Sequence, residues 1–528
     1  MSKYLMQDAV QTEIFRHLLD SIAEEMGVTL QYSSYSPNIK ERRDFSCALF
    51  DLQGNMVAQA SHIPVHLGAM PLSVESCMRK IKFLPGDVIM VNDPFMGGTH
   101  LPDITLITPI FHAGKLFALA ANRAHHSDIG GMSPGSMPVS TEIFQEGMII
   151  PPTKLVEQGR TNEAVLELLL ANVRTPQERA GDIRAQIAAN LRGVDRTVEL
   201  VARYGSNHLT AAMKSLIEYS DRTMRQLISS LPNGTYSFSD VMDDDGVNID
   251  EVKIQVCITI NGDKAQVNFC GTSPQVSGSI NATRAITLAA TMYVFRSLLE
   301  DDIPTNSGCL LPIDVITPEG TVVNARMPAA VAGGNVETSQ RITDVLLGAL
   351  SQVCPDKVPA ASQGTMNNLT IGGLDLRIGH PTPFAYYETI GGGMGACPTN
   401  DGDDAIHTHM TNTLNTPVEA LEYAYPLRIR RYEVRRGSGG AGVYQGGDGI
   451  IREIEVLTEA HVTILSDRRI FAPYGLSGGG SGMVGCNYLI RDGVEKVLSG
   501  KTSINVRSGD IISIQTPGGG GFGVPPTT

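Results

Sequence analysis

The sequence predicts an α+β fold: a mixed sheet-and-helix N-terminal half with a helical layer, followed by a β-rich, Gly-rich C-terminal half. Three observations carry that prediction. Apolar residues recur at three-to-four spacing near the N-terminus and again between about 154 and 231. Short apolar runs broken by turn residues fill 44–126 and 234–273, and glycine clusters punctuate most of the chain after 310.

In chain order, Met6, Val10, Ile14, His17, Leu18, Ile22 and Met26 mark an amphipathic helix over 6–26 that Gly27 is expected to end. SCALFDLQGN (46–55), GDVIMVNDP (86–94), DITLITPIF (103–111) and LFALAANRAHH (116–126) read as strands of one sheet, with LQGN as a hairpin turn. AVLELLLANV, DIRAQIAANLRGVDRTVELVARY and HLTAAMKSLIEYSDRTMRQLISSL supply a helical layer between about 154 and 231. Alternation returns in GTYSFSD and EVKIQVCITINGDKAQVNFCGTS, which contains an NG turn, and SINATRAITLAATMYVFRSLLED is helix-like. Beyond 310 the expectation is short β segments between the Gly clusters at 332–335, 391–396, 437–442, 475–482 and 517–523, without internal repeat. At about 150 residues per domain the length allows three to four, and the pattern divides into regions 1–231, 232–360 and 361–528.

Composition narrows the function. Hydrophobic residues make up 42% and charged residues 18%, with a mean hydropathy of -0.02, as in a soluble globular protein. The net charge of -14 repels a phosphate backbone, so nucleic-acid binding is disfavoured. The first thirty residues carry Asp8, Glu13, Asp20, Glu24 and Glu25 and lack a secretory signal. No apolar run reaches the ~18–20 residues that span a bilayer, so no membrane role and a cytoplasmic location are expected. Eight cysteines without CxxC spacing fit buried, reduced thiols and leave His and carboxylates as metal ligands.

The sharpest chemistry lies in ERRDFS (41–46), NDPFMGGTHLPDI (92–104) and NRAHHSDIGG (122–131), where His and Asp sit in polar turns beside apolar strands. Pro102 between His100 and Asp103 makes a tight turn of that pair, not a helical face. On a strand, His125 and His126 point to opposite faces, so only one should reach an ion. Imidazole plus carboxylate suits Mn, Fe, Co or Zn; the alternative is that these groups merely satisfy turn backbones. His407 and His409, in IHTHM, would share a strand face, which permits a metal but equally an exposed edge. GxxxxGK[ST], GxSxG and HExxH are all absent.

The runs ERRDFSCALFDLQGNMVAQASHIPVHLGAM, GDVIMVNDPFMGGTHLPDITLITPIF, NRAHHSDIGGMSPGSMP and EGMIIPPTK strongly resemble the hydantoinase B / 5-oxoprolinase family. So do DDIPTNSGCLLPI, AGGNVETSQR, YYETIGGGMGA, THMTNTLNTPVEALE and TPGGGGFG, in order along nearly the whole chain. The resemblance implies the metal-containing subunit of an ATP-dependent hydrolase of cyclic amides such as hydantoins, 5-oxoproline or lactams. It further implies a hydantoinase A-type ATPase partner that binds the ATP, in a hetero-oligomer of α2β2 type. It places one divalent transition metal, Mn or Zn, on His100, Asp103 and His125, with Asp44 as the fourth ligand. His126 and Asp128 become candidate proton handlers. The partner would phosphorylate the amide oxygen, and water activated by the ion would attack the resulting imidate phosphate. Alternatives are a subunit of an ATP-dependent ketone carboxylase and a non-catalytic scaffold for the ATPase.

Overall fold

Apolar segments between Phe45 and Thr161 pair into a seven-stranded antiparallel sheet. Its strands are β1 (Phe45–Phe50), β2 (Met56–Gln59), β3 (Val88–Val91), β4 (Asp103–His112), β5 (Lys115–His125), β6 (Thr153–Glu157) and β7 (Arg160–Thr161), in the order β2-β1-β5-β4-β3-β6-β7. The computed structural model describes residues 2–60, 63–300, 302–377 and 379–525.

Both faces of this sheet are covered, which is why β4 and β5 read as continuous apolar runs. Cys47, Leu49, Ala118 and Ala120 meet α1 (Ser2–Ser33) and α2 (Pro176–Tyr204) through Leu19, Ile22, Met26, Ala185 and Ala189. After a break at Gly205 comes α3 (Ser206–Ser230), whose Leu209, Met213 and Leu216 close that layer. The alternate residues Ala48, Phe50, Leu119 and Ala121 face a second core built with α4 (Arg284–Ser297) and α5 (Ser339–Leu350). That core extends to a four-stranded sheet of β8 (Gly234–Met242), β9 (Val252–Asn261), β10 (Lys264–Asn268) and β11 (Ile313–Ile316), ordered β11-β10-β9-β8.

Two further sheets face each other across a third core. One contains β12 (Asn368–Asp375), β13 (Thr382–Glu388), β16 (Ala460–Leu465) and β19 (Lys501–Val506). The other contains β14 (Leu427–Arg435), β15 (Gly449–Val456), β17 (Cys486–Arg491), β18 (Val494–Leu498) and β20 (Ile511–Gln515). Ile371, Tyr386, Val462 and Ile464 of the first pack on Ile450, Ile454, Ile512 and Ile514 of the second. Beside this sandwich four of the five Gly clusters, those at 391–396, 437–442, 475–482 and 517–523, lie against one another through their backbones. The Gly440 N–H donates to the Gly519 carbonyl at 2.8 Å, that of Gly447 to Met394 at 2.8 Å, and that of Gly521 to Gly480 at 2.9 Å. A Cβ at position 519 would stand 2.0 Å from the Met394 oxygen, so close approach, not backbone angle, demands glycine there.

The α+β class is as expected, and three local readings change. Gly27 does not end α1, which continues to Ser33 because the next turn buries Leu30 completely; that burial offsets the roughly 1 kcal/mol cost of a helical glycine. The helical layer begins after a β6–β7 hairpin, turned by Gln158 and Gly159 at positive φ. Within the expected β region, Gly334–Thr338 forms a π-helical turn leading into α5. Among the described residues, no helix is long and apolar enough to cross a membrane.

Candidate metal centre

Antiparallel pairing of β4 with β5 sets Asp103 directly opposite His125, so both side chains leave the same face of the sheet. His100 precedes them in a turn closed by the Asp103 N–H donating to the His100 carbonyl, 3.2 Å. The result is a triangle. Asp103 Oδ1 lies 3.2 Å from His100 Nε2 and 3.3 Å from His125 Nδ1, and the two nitrogens are 3.2 Å apart. Edges of about 3.0–3.4 Å are those of ligands around an ion with bonds of ~2.1 Å. None of the three residues is more than 2% exposed, yet Asp103 Oδ1 and His125 Nε2 make no hydrogen bond. Among the described residues this is the one group of three His, Cys, Asp or Glu side chains close enough to share an ion. Two imidazoles and a carboxylate without thiolate fit a divalent transition metal.

Surrounding groups fix each side chain. Asp103 Oδ2 accepts from the Thr99 hydroxyl and lies 3.5 Å from His66 Nε2, while His66 Nδ1 is 2.9 Å from Ser46 Oγ. That occupies Oδ2 and frees Oδ1 for the triangle. The His100 ring is held between the Ala332 carbonyl, 3.4 Å from Nδ1, and Asn335 Nδ2, 3.1 Å from Nε2. His125 stacks on Tyr387 with ring centroids 4.3 Å apart and planes 15° from parallel, and the Arg42 guanidinium lies 4.9 Å from the centre of the Tyr387 ring.

Burial opposes a charged Asp103, but the charges of His100 and His66 and hydrogen bonds outweigh it, holding the carboxyl well below its usual range. His100 is raised: burial disfavours its cation, and the Asp103 charge overcomes that penalty. Burial dominates at His125, which is lowered and therefore neutral and ready to donate a lone pair. Two further carboxyls are buried nearby. Glu146 accepts from the Val331 and Ala332 N–H groups and the Ser140 hydroxyl, and burial pushes it up to about 7. Glu337, in the π turn, accepts from Met366 N–H and Asn368 Nδ2 and is pushed up to about 7 by burial, then by the Asp467 charge.

The structure brings together His100, Asp103 and His125. Asp44 is buried beside them: the His125 N–H donates to its carbonyl at 3.0 Å, and the charge of its carboxylate favours the cationic forms of His100 and His125. His126 turns to the opposite face, 3.0 Å from Gln186 Oε1 of α2, and burial lowers it to about 4. Asp128 pairs with Arg174 at 2.8 Å. His407 and His409 line a separate cavity of about 330 Å³ with Tyr293 and Leu347, with no third ligand in reach among the described residues. His66, Asn335, Glu146, Glu337 and Tyr387 carry no local sequence signal that marks them as part of the centre. A lone His in IPVHLGAM reads as core, and an Asn in AGGN reads as turn.

A profile of the hydantoinase B/oxoprolinase family matches residues 8–525. The chain is 44% identical to 5-oxoprolinase 1 of Arabidopsis thaliana over 98% of its own length and 42% of that protein. It is 34% identical to a protein of Pseudomonas sp. strain NS671 named as the B-type component of a D-/L-hydantoinase, over 98% of this chain and 90% of the other. The chain thus spans about two fifths of the 5-oxoprolinases it matches and nearly all of the hydantoinase component. Among solved structures, the ATP-dependent caprolactamase of Pseudomonas jessenii superposes with a TM-score of 0.90 at 30% identity, covering 98% of this chain and 92% of that one. An acetone carboxylase shares the fold at a TM-score of 0.90 and 20% identity, covering 98% of this chain and 76% of the other.

Proposed function

The chain belongs to the hydantoinase B/oxoprolinase family, and from that premise we propose that it is the metal-containing subunit of an ATP-dependent cyclic-amide hydrolase, acting with a hydantoinase A-type ATPase subunit that binds the nucleotide. The observation carrying this reading is the buried His100–Asp103–His125 triangle with its orphaned carboxylate oxygen, in a chain 30% identical to a caprolactamase. Proposed ligands are these three residues, with Asp44 beside them, and the proposed ion is Mn or Zn.

When bound, such an ion polarises a carbonyl oxygen and lowers the pKa of water. The chain's own residues do the rest. Asp103 Oδ1 is aimed by Thr99 and His66, the His125 ring is clamped by Tyr387, and His100 is steadied from both ring nitrogens. Burial keeps bulk water away from a phosphorylated amide, which would otherwise decay unproductively. Proton handling by His126 and Asp128 stays in the proposal in a narrower form. Both are engaged, with Gln186 and Arg174, and either would exchange that partner for substrate.

The test is reconstitution with the ATPase subunit. ATP consumption should respond to a hydantoin, 5-oxoproline or a lactam, and His100→Ala should abolish product while the complex still assembles. ATP use that responds instead to a ketone with bicarbonate would move the chain to the carboxylase reading. Product at the wild-type rate from the His100→Ala complex would make the triangle structural.

A further inference from the structure

Asn335 is 4% exposed, and its side chain is used at one end only. Its Nδ2 stands 3.1 Å from His100 Nε2, while its Oδ1 is buried with no hydrogen-bond partner. That His100 nitrogen is overcommitted. Asn335 Nδ2 at 3.1 Å needs a lone pair on it, Asp103 Oδ1 at 3.2 Å needs a proton on it, and His125 Nδ1 at 3.2 Å adds a third claim, so no placement of protons satisfies all of them. A cation amid these atoms would resolve the conflict, except that an N–H₂ group turned toward it is repelled. Oxygen and nitrogen of a carboxamide have nearly the same outline, so rotation about the terminal bond exchanges them without moving the backbone.

We infer that Asn335 is a further ligand of the metal, binding through its side-chain oxygen after the amide turns over. The edge from this position to His100 Nε2 matches the other edges of the triangle. The backbone around it is clamped for the purpose. Gly334 cannot carry a side chain, because a Cβ there would meet the Asn281 carbonyl oxygen at 1.9 Å. The Ala332 carbonyl holds the far nitrogen of the same His100 ring, and Asn335 is the second residue of a π-helical turn, whose wider winding re-aims side chains. A neutral oxygen donor adds no formal charge to that of Asp103 and of Asp44 beside it.

The inference rests on the metal-binding reading, and the experiment separates the two. The full chain is stripped of metal and titrated with Co²⁺ and with Mn²⁺, following calorimetry and the visible Co²⁺ spectrum. Wild type should bind, and His100→Ala should not. Asn335→Leu, similar in volume but without a donor, should bind at least tenfold more weakly with a shifted Co²⁺ spectrum. Asn335→Asp, which keeps an oxygen at that point, should recover the affinity. Wild-type affinity and an unchanged spectrum in Asn335→Leu would overturn the assignment while leaving the triangle intact, and so would weak binding that Asn335→Asp fails to recover. A wild-type chain that takes up no ion would end the metal reading itself.

Discussion

At the residue scale, the centre depends on which oxygen of Asp103 is left free. Thr99 holds Oδ2, so Thr99→Val, nearly isosteric but without the donor, should weaken metal binding by about 10–100-fold. The metal-free protein should lose about 1.5–3 kcal/mol, as expected for a hydrogen bond to a charged group. Calorimetric titration and denaturant melts measure the two effects separately; unchanged metal affinity would mean that Thr99 does not aim the carboxylate. The sequence exposes His100, Asp103 and His125 because polar turns beside apolar strands are locally conspicuous. His66 and Asn335 carry no such mark. Asn335 reaches His100 across 235 positions, and proximity of that kind is made by sheet register and helix packing, not by any local pattern.

At the element scale, the same contrast separates α5 from α1. In α1 one face is wet, whereas every residue of α5 is buried, polar ones included, so its polar face turns into the molecule and amphipathicity no longer reports exposure. Arg341 and Asp344 are tolerated inside because Arg341 pairs with Asp467 at 2.9 Å and Asp344 with Arg468 at 2.6 Å. The Gly clusters were legible as loops but not as a packed layer, since nothing local says that four of the five will meet. Gly519→Ala should cost about 3 kcal/mol or more, because the added carbon collides with backbone, which cannot yield as a side chain would. Gly437→Ala places a carbon in open space and is opposed by its positive φ alone, about 1–2 kcal/mol. Thermal melts of the two variants rank them; equal losses would mean that the glycine layer is looser than its contacts indicate.

At the scale of the whole molecule, buried carboxyls shape the response to pH. Glu146 and Glu337 are raised from 4.5 to about 7 in the fold. Between those values the folded state binds more protons than the unfolded one, so these groups make stability fall as pH rises through that window. His126 and His407, lowered to about 4 and about 3 by burial, work oppositely: each costs stability as pH falls below 6.5. The wild-type profile therefore mixes both, and a difference measurement isolates the carboxyls. In metal-stripped protein, the melting temperature of the Glu146→Gln/Glu337→Gln variant relative to wild type should rise from pH 5.5 to pH 8.5. A difference independent of pH would mean that neither carboxyl titrates where burial places it. The α+β class, the N-terminal sheet and its helical layer were open to sequence reading, whereas α5 and the sealing of the triangle were not. That sealing governs timing. With side chains no more than 2% exposed, an ion held as proposed would meet a chelator, and a substrate would meet the ion, only on local opening of the surrounding structure, at a rate set by the protein and not by chelator concentration. One opening motion would then set the pace both of ion uptake by the stripped chain and of turnover in the reconstituted complex.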